Sequence, residues 1–188
     1  AISLGISDSV RRSTFYLEFG RFKMKTNDIK GALLDIQTAI ALKPSFDNYM
    51  ALGEVFKTGM KQTEIANGNF QKAMAYTISG TQNKDTSSNY AYAAAAMGDR
   101  KTAERFIKKM IIDASAKMGA LANEYHNAAC IYTTLGDIPK ALIYLELSLQ
   151  ADYSDFEHML HDPDLEPLYM LSEYKNLLIK YKVPVPVY

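Results

Sequence analysis

The chain has 188 residues, of which 48% are hydrophobic, enough for a sizeable core and too many for a disordered chain. Its 21 Lys and Arg balance 21 Asp and Glu, which argues against the basic excess of nucleic-acid and membrane-surface binders. One cysteine, Cys130, rules out an intramolecular disulfide and fits a reducing compartment. No apolar run approaches the ~20 residues of a membrane span.

The chain begins AISLGISDSVRR, with neither a methionine nor the basic start and apolar centre of a signal peptide, as expected of a processed product or a piece of a longer chain. The first pattern of 3.6-residue period covers 9–26 and is followed by Asn27-Asp28 and a second helix over 29–42, which Pro44 ends. The same break recurs at Gly98-Asp99 and Gly136-Asp137, and Gly68-Asn69 occupies an equivalent place. At each break Gly or Asn can take the left-handed conformation that ends a helix, and Asp or Asn can cap the next one. Four helical pairs follow: 9–26 with 29–42, 46–66 with 70–79, 86–97 with 100–113, and 119–135 with 138–151. The second pair carries extra residues around KTGMKQTEIA; either its first helix runs about two turns longer or a loop bulges at Thr58-Gly59.

An alanine stands a few residues after each break, at Ala32, Ala73, Ala103 and Ala141, spaced 41, 30 and 38 residues apart. That is close to the ~34-residue period of helix-turn-helix repeats. Gly20, Gly53, Ala91 and Ala129 hold the matching places in the first helices. Small residues at both positions let two antiparallel helices cross closely, with Tyr16, Phe19, Tyr49, Leu52, Phe56, Tyr125, Tyr132 and Leu145 filling the space around them. Such pairs bury their apolar faces only by stacking, so the expected fold is all-α, an α-solenoid of about four helical hairpins. Beyond them, Ser154 and Glu157 read as a capping box, Asp162-Pro163 as the start of a further helix, and Ser172 as the cap of a last one. KVPVPVY ends the chain as an extended tail.

The pattern resembles the tetratricopeptide repeat family. The residues that carry the resemblance are Tyr16, Phe19, Gly20, Ala32, Ile36, Ala39 and Pro44 in the first unit, and Tyr125, Ala129, Tyr132, Gly136, Ala141 and Leu145 in the fourth. DFEHMLHDPDLEPLYMLSEYKNLL resembles the closing segment of bacterial members. On this basis the chain is one domain, with repeats at 9–44, 46–80, 84–117 and 119–152, capping helices over 154–181 and a tail from 182. The family implies a non-enzymatic scaffold without cofactor or metal, whose first helices line a groove for a peptide or helix of a partner protein. The groove residues it implies are Leu17, Arg21 and Met24; Met50, Glu54 and Lys57; Asn89 and Tyr92; and Asn123, His126 and Asn127. The basic clamp that holds chaperone tails in one subfamily is missing: Leu17, Arg21, Ala51, Asp85 and Asn89 stand at its positions.

Two chemical alternatives compete with that reading. His158 and His161, beside Asp162, Asp164 and Glu166, are of metal-ligating type. Cys130, with His126 four residues earlier on one helix face, has the makings of a nucleophile and base, although no third orienting group is evident. These make a small hydrolase or metal-binding protein the rival. Self-association, one copy's groove taking a helix or tail of another, is the third reading.

Overall fold

The computed structural model describes residues 2–79, 86–117 and 119–184, with side chains over 8–77, 87–117 and 119–184. Among the described residues every regular element is a helix, and no helix is long and apolar enough to cross a membrane. Asp85 and the end of the tail, 185–188, lie outside the described residues. The chain divides into two compact units, Ala1–Asn89 and Tyr90–Tyr188.

In the first unit, α1 (Ile2–Lys25) and α2 (Ile29–Leu42) form a hairpin. Its turn follows from two residues. Asn27 takes φ 63°, so that its N–H bonds to the Met24 carbonyl and the Asp28 N–H to that of Lys23. These are the paired bonds of a Schellman ending, and they satisfy carbonyls the helix would otherwise leave open. Asp28 then caps α2 by accepting from the Gly31 N–H at 2.9 Å. The helices cross where the sequence placed its small residues: Ala32 and Ile36 are fully buried, and a Cβ on Gly20 would come within 2.6 Å of Ile36. Leu17, Ala39, Ala51, Leu52 and Val55 complete this core. Phe19, expected at the crossing, instead lies 45% exposed between Phe15 and Phe22, with ring centroids 5.7 and 6.4 Å away. The crossing has room only for Gly20, and Phe19 is turned to the outer side of α1.

A buried polar contact fixes the entry to α3 (Phe46–Glu54). Ser13 donates to the Ala39 carbonyl at 2.9 Å, while the Asn48 amide donates to Ser13 Oγ at 3.1 Å and to the Lys43 carbonyl at 2.8 Å. These groups satisfy one another away from water, so the bend at Pro44 is held in one geometry. The second hairpin departs from the sequence reading. α3 runs into a π-turn, Val55–Gly59; Lys61 takes φ 58°, and α4 spans Thr63–Ser79. The expected turn at Asn67–Asn69 does not form, and Gly68 and Asn69 lie inside α4. The π-turn is wound so that Gly59 meets Ile29, where an added Cβ would stand 2.8 Å from the isoleucine. Of the two alternatives, the first helix does not run on to 66, and Thr58-Gly59 form a widened helical turn in place of a loop. The α3–α4 crossing is tight: a Cβ on Gly53 would fall 2.2 Å from the buried Phe70 ring, and Ala73 is fully buried.

The second unit repeats the first turn twice. α5 (Thr86–Ala96) and α6 (Arg100–Ser115) join through Gly98, φ 79°, and Asp99, which accepts from the Thr102 N–H. α7 (Leu121–Thr134) and α8 (Ile138–Gln150) join through Gly136, φ 72°, and Asp137, which accepts from the Lys140 N–H. Both turns carry the paired bonds seen after α1: Gly98 to Ala95 and Asp99 to Ala94, then Gly136 to Thr133 and Asp137 to Tyr132. Ala91, Ala103, Ala129 and Ala141 are all fully buried. The two hairpins are also tied by charge, Arg100 to Asp137 and Lys140 to Glu104, each at 2.7 Å. This is the hairpin packing of an all-α solenoid.

The capping segment follows α8. Asp152, φ 64°, ends that helix with the same bond pair, Tyr153 N–H to Ser148 and Asp152 N–H to Leu149. Asp155, rather than Ser154, caps the short α9 (Phe156–His161) by accepting from the His158 N–H at 3.1 Å. A 3₁₀ helix, Pro163–Leu168, follows, then α10 (Ser172–Lys180). Met159, Leu165 and Leu168 are fully buried and seal the end of the core. The last helix begins at Ser172, with Leu171 in the cap position, so Ser172 does not cap it.

Candidate functional site

The two chemical candidates of the sequence meet at one atom. α7 carries His126 and Cys130 one turn apart, so both face the 3₁₀ helix that lies along it. The cap residue of that 3₁₀ helix is Asp162. Its Oδ1 accepts from the Asp164 N–H at 2.9 Å, which holds the carboxylate in place. Its Oδ2 accepts from His126 Nε2 at 2.9 Å and from Cys130 Sγ at 3.4 Å, and His158 Nε2 of α9 stands 3.4 Å away. His126, Cys130 and Asp162 are buried, whereas His158 lies with its side chain 56% exposed at the rim. The His126 ring is stacked on Tyr153, centroids 4.6 Å apart and planes 7° from parallel. Its Nδ1 has no hydrogen-bond partner among the described residues.

The electrostatics follow from this packing. Burial works to raise the Asp162 carboxyl, but the hydrogen bonds from His126 and from the Asp164 N–H outweigh it, and the group titrates below the ordinary 3.8. Cys130 is pushed the other way: burial first, then the negative charges of Asp162 and Asp164, hold its thiol well above the usual range. Tyr92 of α5 shares the site and is likewise held up, chiefly by burial. A nucleophilic cysteine needs a thiolate, an open approach and a base on its sulfur. Cys130 has no exposure, its thiol is driven toward the neutral form, and His126 Nε2 is engaged with Asp162. The arrangement does not support the hydrolase reading. His161 is also absent from the cluster, because its Nδ1 bonds to the Glu157 carbonyl of its own helix at 2.9 Å.

The groove residues fall into two groups. Leu17 and His126 are interior: Leu17 packs in the core with Ala32 and Ile36, and His126 lies under the capping segment. In the first unit, Arg21 is exposed and pairs with Glu18 at 2.8 Å, while Met24, Met50, Glu54, Lys57 and Asn89 are partly exposed. Burial raises the Glu54 carboxyl, and the charge of Lys57 opposes it. In the second unit, Asn123 is exposed, Asn127 receives support from Glu124 at 3.2 Å, and Tyr92 packs against the core. The sequence placed Asp162 beside His158 and His161 in a metal-ligating set without joining it to His126 and Cys130, and it missed Tyr153 beneath His126. The Asp-Pro signal gave a cap; nothing in the spacing said that the cap's second oxygen would reach a helix 32 residues upstream.

Comparison with known proteins bears on the same segment. The tetratricopeptide repeat family matches residues 125–155, which take in most of α7, all of α8 and the turn that follows. Over these residues the chain is similar to a tetratricopeptide repeat. A stretch of 56 residues is 36% identical to a chloroplastic protein of Arabidopsis thaliana, covering 30% of this chain. The chain spans 17% of that protein's length. No solved structure matches the chain.

Proposed function

We propose that this is a non-enzymatic interaction module that binds a peptide or helix of a partner protein on the open sides of its first helices. The observation that carries the reading is the tetratricopeptide repeat at 125–155, whose Gly136-Asp137 turn recurs in hydrogen-bond detail after α1 and α5. Repeats of this kind present side chains from a rigid frame. The residues put forward as contacts are Arg21, Met24, Met50, Glu54, Lys57 and Asn89 in the first unit. In the second they are Asn123 and Asn127, with Tyr92 at the edge. Methionine beside charged and amide groups suits an extended segment with a few apolar anchors.

The test is affinity capture with the intact protein and two variants, Arg21→Glu/Asn123→Arg and, as a control on the second helix of its hairpin, Leu34→Lys. Partners lost by the first variant and kept by the control support the assignment. Equal recovery by all three proteins overturns it. Mass measured by light scattering at rising concentration, on the same preparations, separates binding of a partner from self-association.

A further inference from the structure

We propose that His126, Cys130, Asp162 and His158 form a binding site for one Zn²⁺-type cation, which would fasten the capping segment to α7. Four donors of two histidine nitrogens, one sulfur and one carboxylate oxygen converge from three elements. Three of them already lie together in the interior, their ligand atoms all within 4.8 Å of one another. The edges at Asp162 are close to what the ion needs. Zinc bonds of about 2.0–2.3 Å in a tetrahedron imply ligand-to-ligand edges of roughly 3.3–3.6 Å. From Asp162 Oδ2 the other three donors stand at 2.9, 3.4 and 3.4 Å, close to such edges; the three interior ligand atoms lie within 4.8 Å of one another and His158 stands outside that group, so closure draws the His158 ring inward from the rim. The donor set is borderline-soft, which selects zinc, or cobalt in its place, over magnesium and calcium.

The surroundings provide part of what such a site needs. Asp162 is oriented from behind by the Asp164 N–H, and the His126 ring by its stack on Tyr153. His158, exposed at the rim, offers the way in and is the donor freest to adjust. Ligation through Nε2 puts the His126 proton on Nδ1, which has no partner among the described residues. An incomplete outer shell of this kind costs ~10–100-fold in affinity, so the site is expected to bind more weakly than a fully supported structural zinc centre. On binding, the Cys130 thiol gives up its proton to solvent and the sulfur becomes a ligand.

The experiment is a titration of the untagged, metal-free protein with Co²⁺, followed by displacement with Zn²⁺. One Co²⁺ per chain is expected, with the absorption of tetrahedral cobalt and a sulfur-to-cobalt charge-transfer band, and both ions should raise the thermal midpoint. His158→Ala removes a rim donor without opening the core. It should weaken binding by more than the ~10–100-fold that loss of an outer-shell partner causes. Cys130→Ala, checked for folding by circular dichroism, should abolish the charge-transfer band. His161→Ala should change neither. Failure to bind at micromolar Co²⁺, a band that survives Cys130→Ala, or equal loss in His158→Ala and His161→Ala would each overturn the proposal.

Discussion

Gly68→Ala puts the course of the second hairpin to a direct test. Gly68 lies in the middle of α4, and an added Cβ would meet no atom within 4 Å. Glycine in a helix interior costs roughly 0.8–1.0 kcal/mol relative to alanine, because the unfolded chain has more freedom to lose. With no clash to offset the gain, the substitution should stabilise the protein by about 0.5–1 kcal/mol. For a chain of this length that is a rise of about 1–4 °C in thermal midpoint. Urea and thermal unfolding of the 188-residue chain, followed by circular dichroism at 222 nm (the helical signal), would show it. The same change made elsewhere should have the opposite sign for identifiable reasons. At Gly53 the new Cβ would stand 2.2 Å from the buried Phe70 ring, and overpacking of that kind costs ~1–3 kcal/mol. At Gly98 space is open but φ is 79°, so the cost is the ~1–2 kcal/mol of a left-handed residue carrying a Cβ. If Gly68→Ala destabilised by as much as Gly98→Ala, the residue would be at a turn and the continuous α4 would be wrong.

Two further outcomes follow from the second unit. Asp162→Ala removes a helix cap, worth ~1 kcal/mol, and leaves the His126 N–H buried without an acceptor, worth ~1–3 kcal/mol; a loss of about 2–4 kcal/mol is expected. Asp162→Asn keeps an oxygen for the Asp164 N–H and should recover about 1 kcal/mol of it, whereas urea midpoints unchanged in both variants would contradict the hydrogen-bond geometry. Acid should loosen this unit through Asp99, Glu104 and Glu146. All three titrate below their ordinary 3.8 or 4.5: Asp99 chiefly by its bonds from Thr102, Glu104 by the Lys140 hydrogen bond, Glu146 by the Lys180 hydrogen bond. Their folded values lie below the unfolded ones, so the stabilisation is complete above pH 4.5 and lost as pH falls through 3.8 toward the lower folded values. The thermal midpoint measured between pH 7 and pH 3 should therefore drop less for Lys140→Met than for the unaltered chain; equal drops would remove Glu104 from the account.

Most of the hairpin architecture was readable because its determinants are local. A left-handed residue followed by Asp marks the turn after α1, α5 and α7, and in each case the bonds form within six residues of sequence. The small residues were readable for a related reason: Ala32, Ala103, Ala129 and Ala141 recur at set distances from those turns, and each is fully buried. Gly68-Asn69 imitated the signal, but helix geometry there depends on what the neighbouring turn does. Gly59 fits against Ile29 of α2, and the widened turn this produces moves the break to 60–62. The misplacement of Phe19 has the same origin, since the periodicity marks it as apolar and only the Gly20–Ile36 contact shows which side of α1 has room. The site was legible as ingredients alone. His126, Cys130 and His158 each stood out by residue type, yet the atom that joins them belongs to Asp162, and its position depends on how the 3₁₀ helix settles on α7.

The position of that 3₁₀ helix also bears on where a partner can dock. On the proposed function a partner would approach the first helix of each hairpin, and over the matched residues 125–155 that helix is α7. Yet His126 and Cys130 are both covered by the chain's own capping segment, with Leu165 and Leu168 fully buried behind them. A protein segment approaching α7 would have to displace a hydrogen-bonded carboxylate and two buried leucines. Loss of the leucines alone, at about 1.5–3 kcal/mol each, exceeds what most single contact residues return in an interface. On the proposed function, then, α7 contributes through Asn123 and Asn127 at the margin of the covered area. The other candidates of the proposed function lie in the first unit, where Arg21 is exposed and Met50 and Lys57 are partly exposed. A cation held by His126, Cys130, Asp162 and His158 would act in the same direction, because it raises the cost of lifting the capping segment from α7.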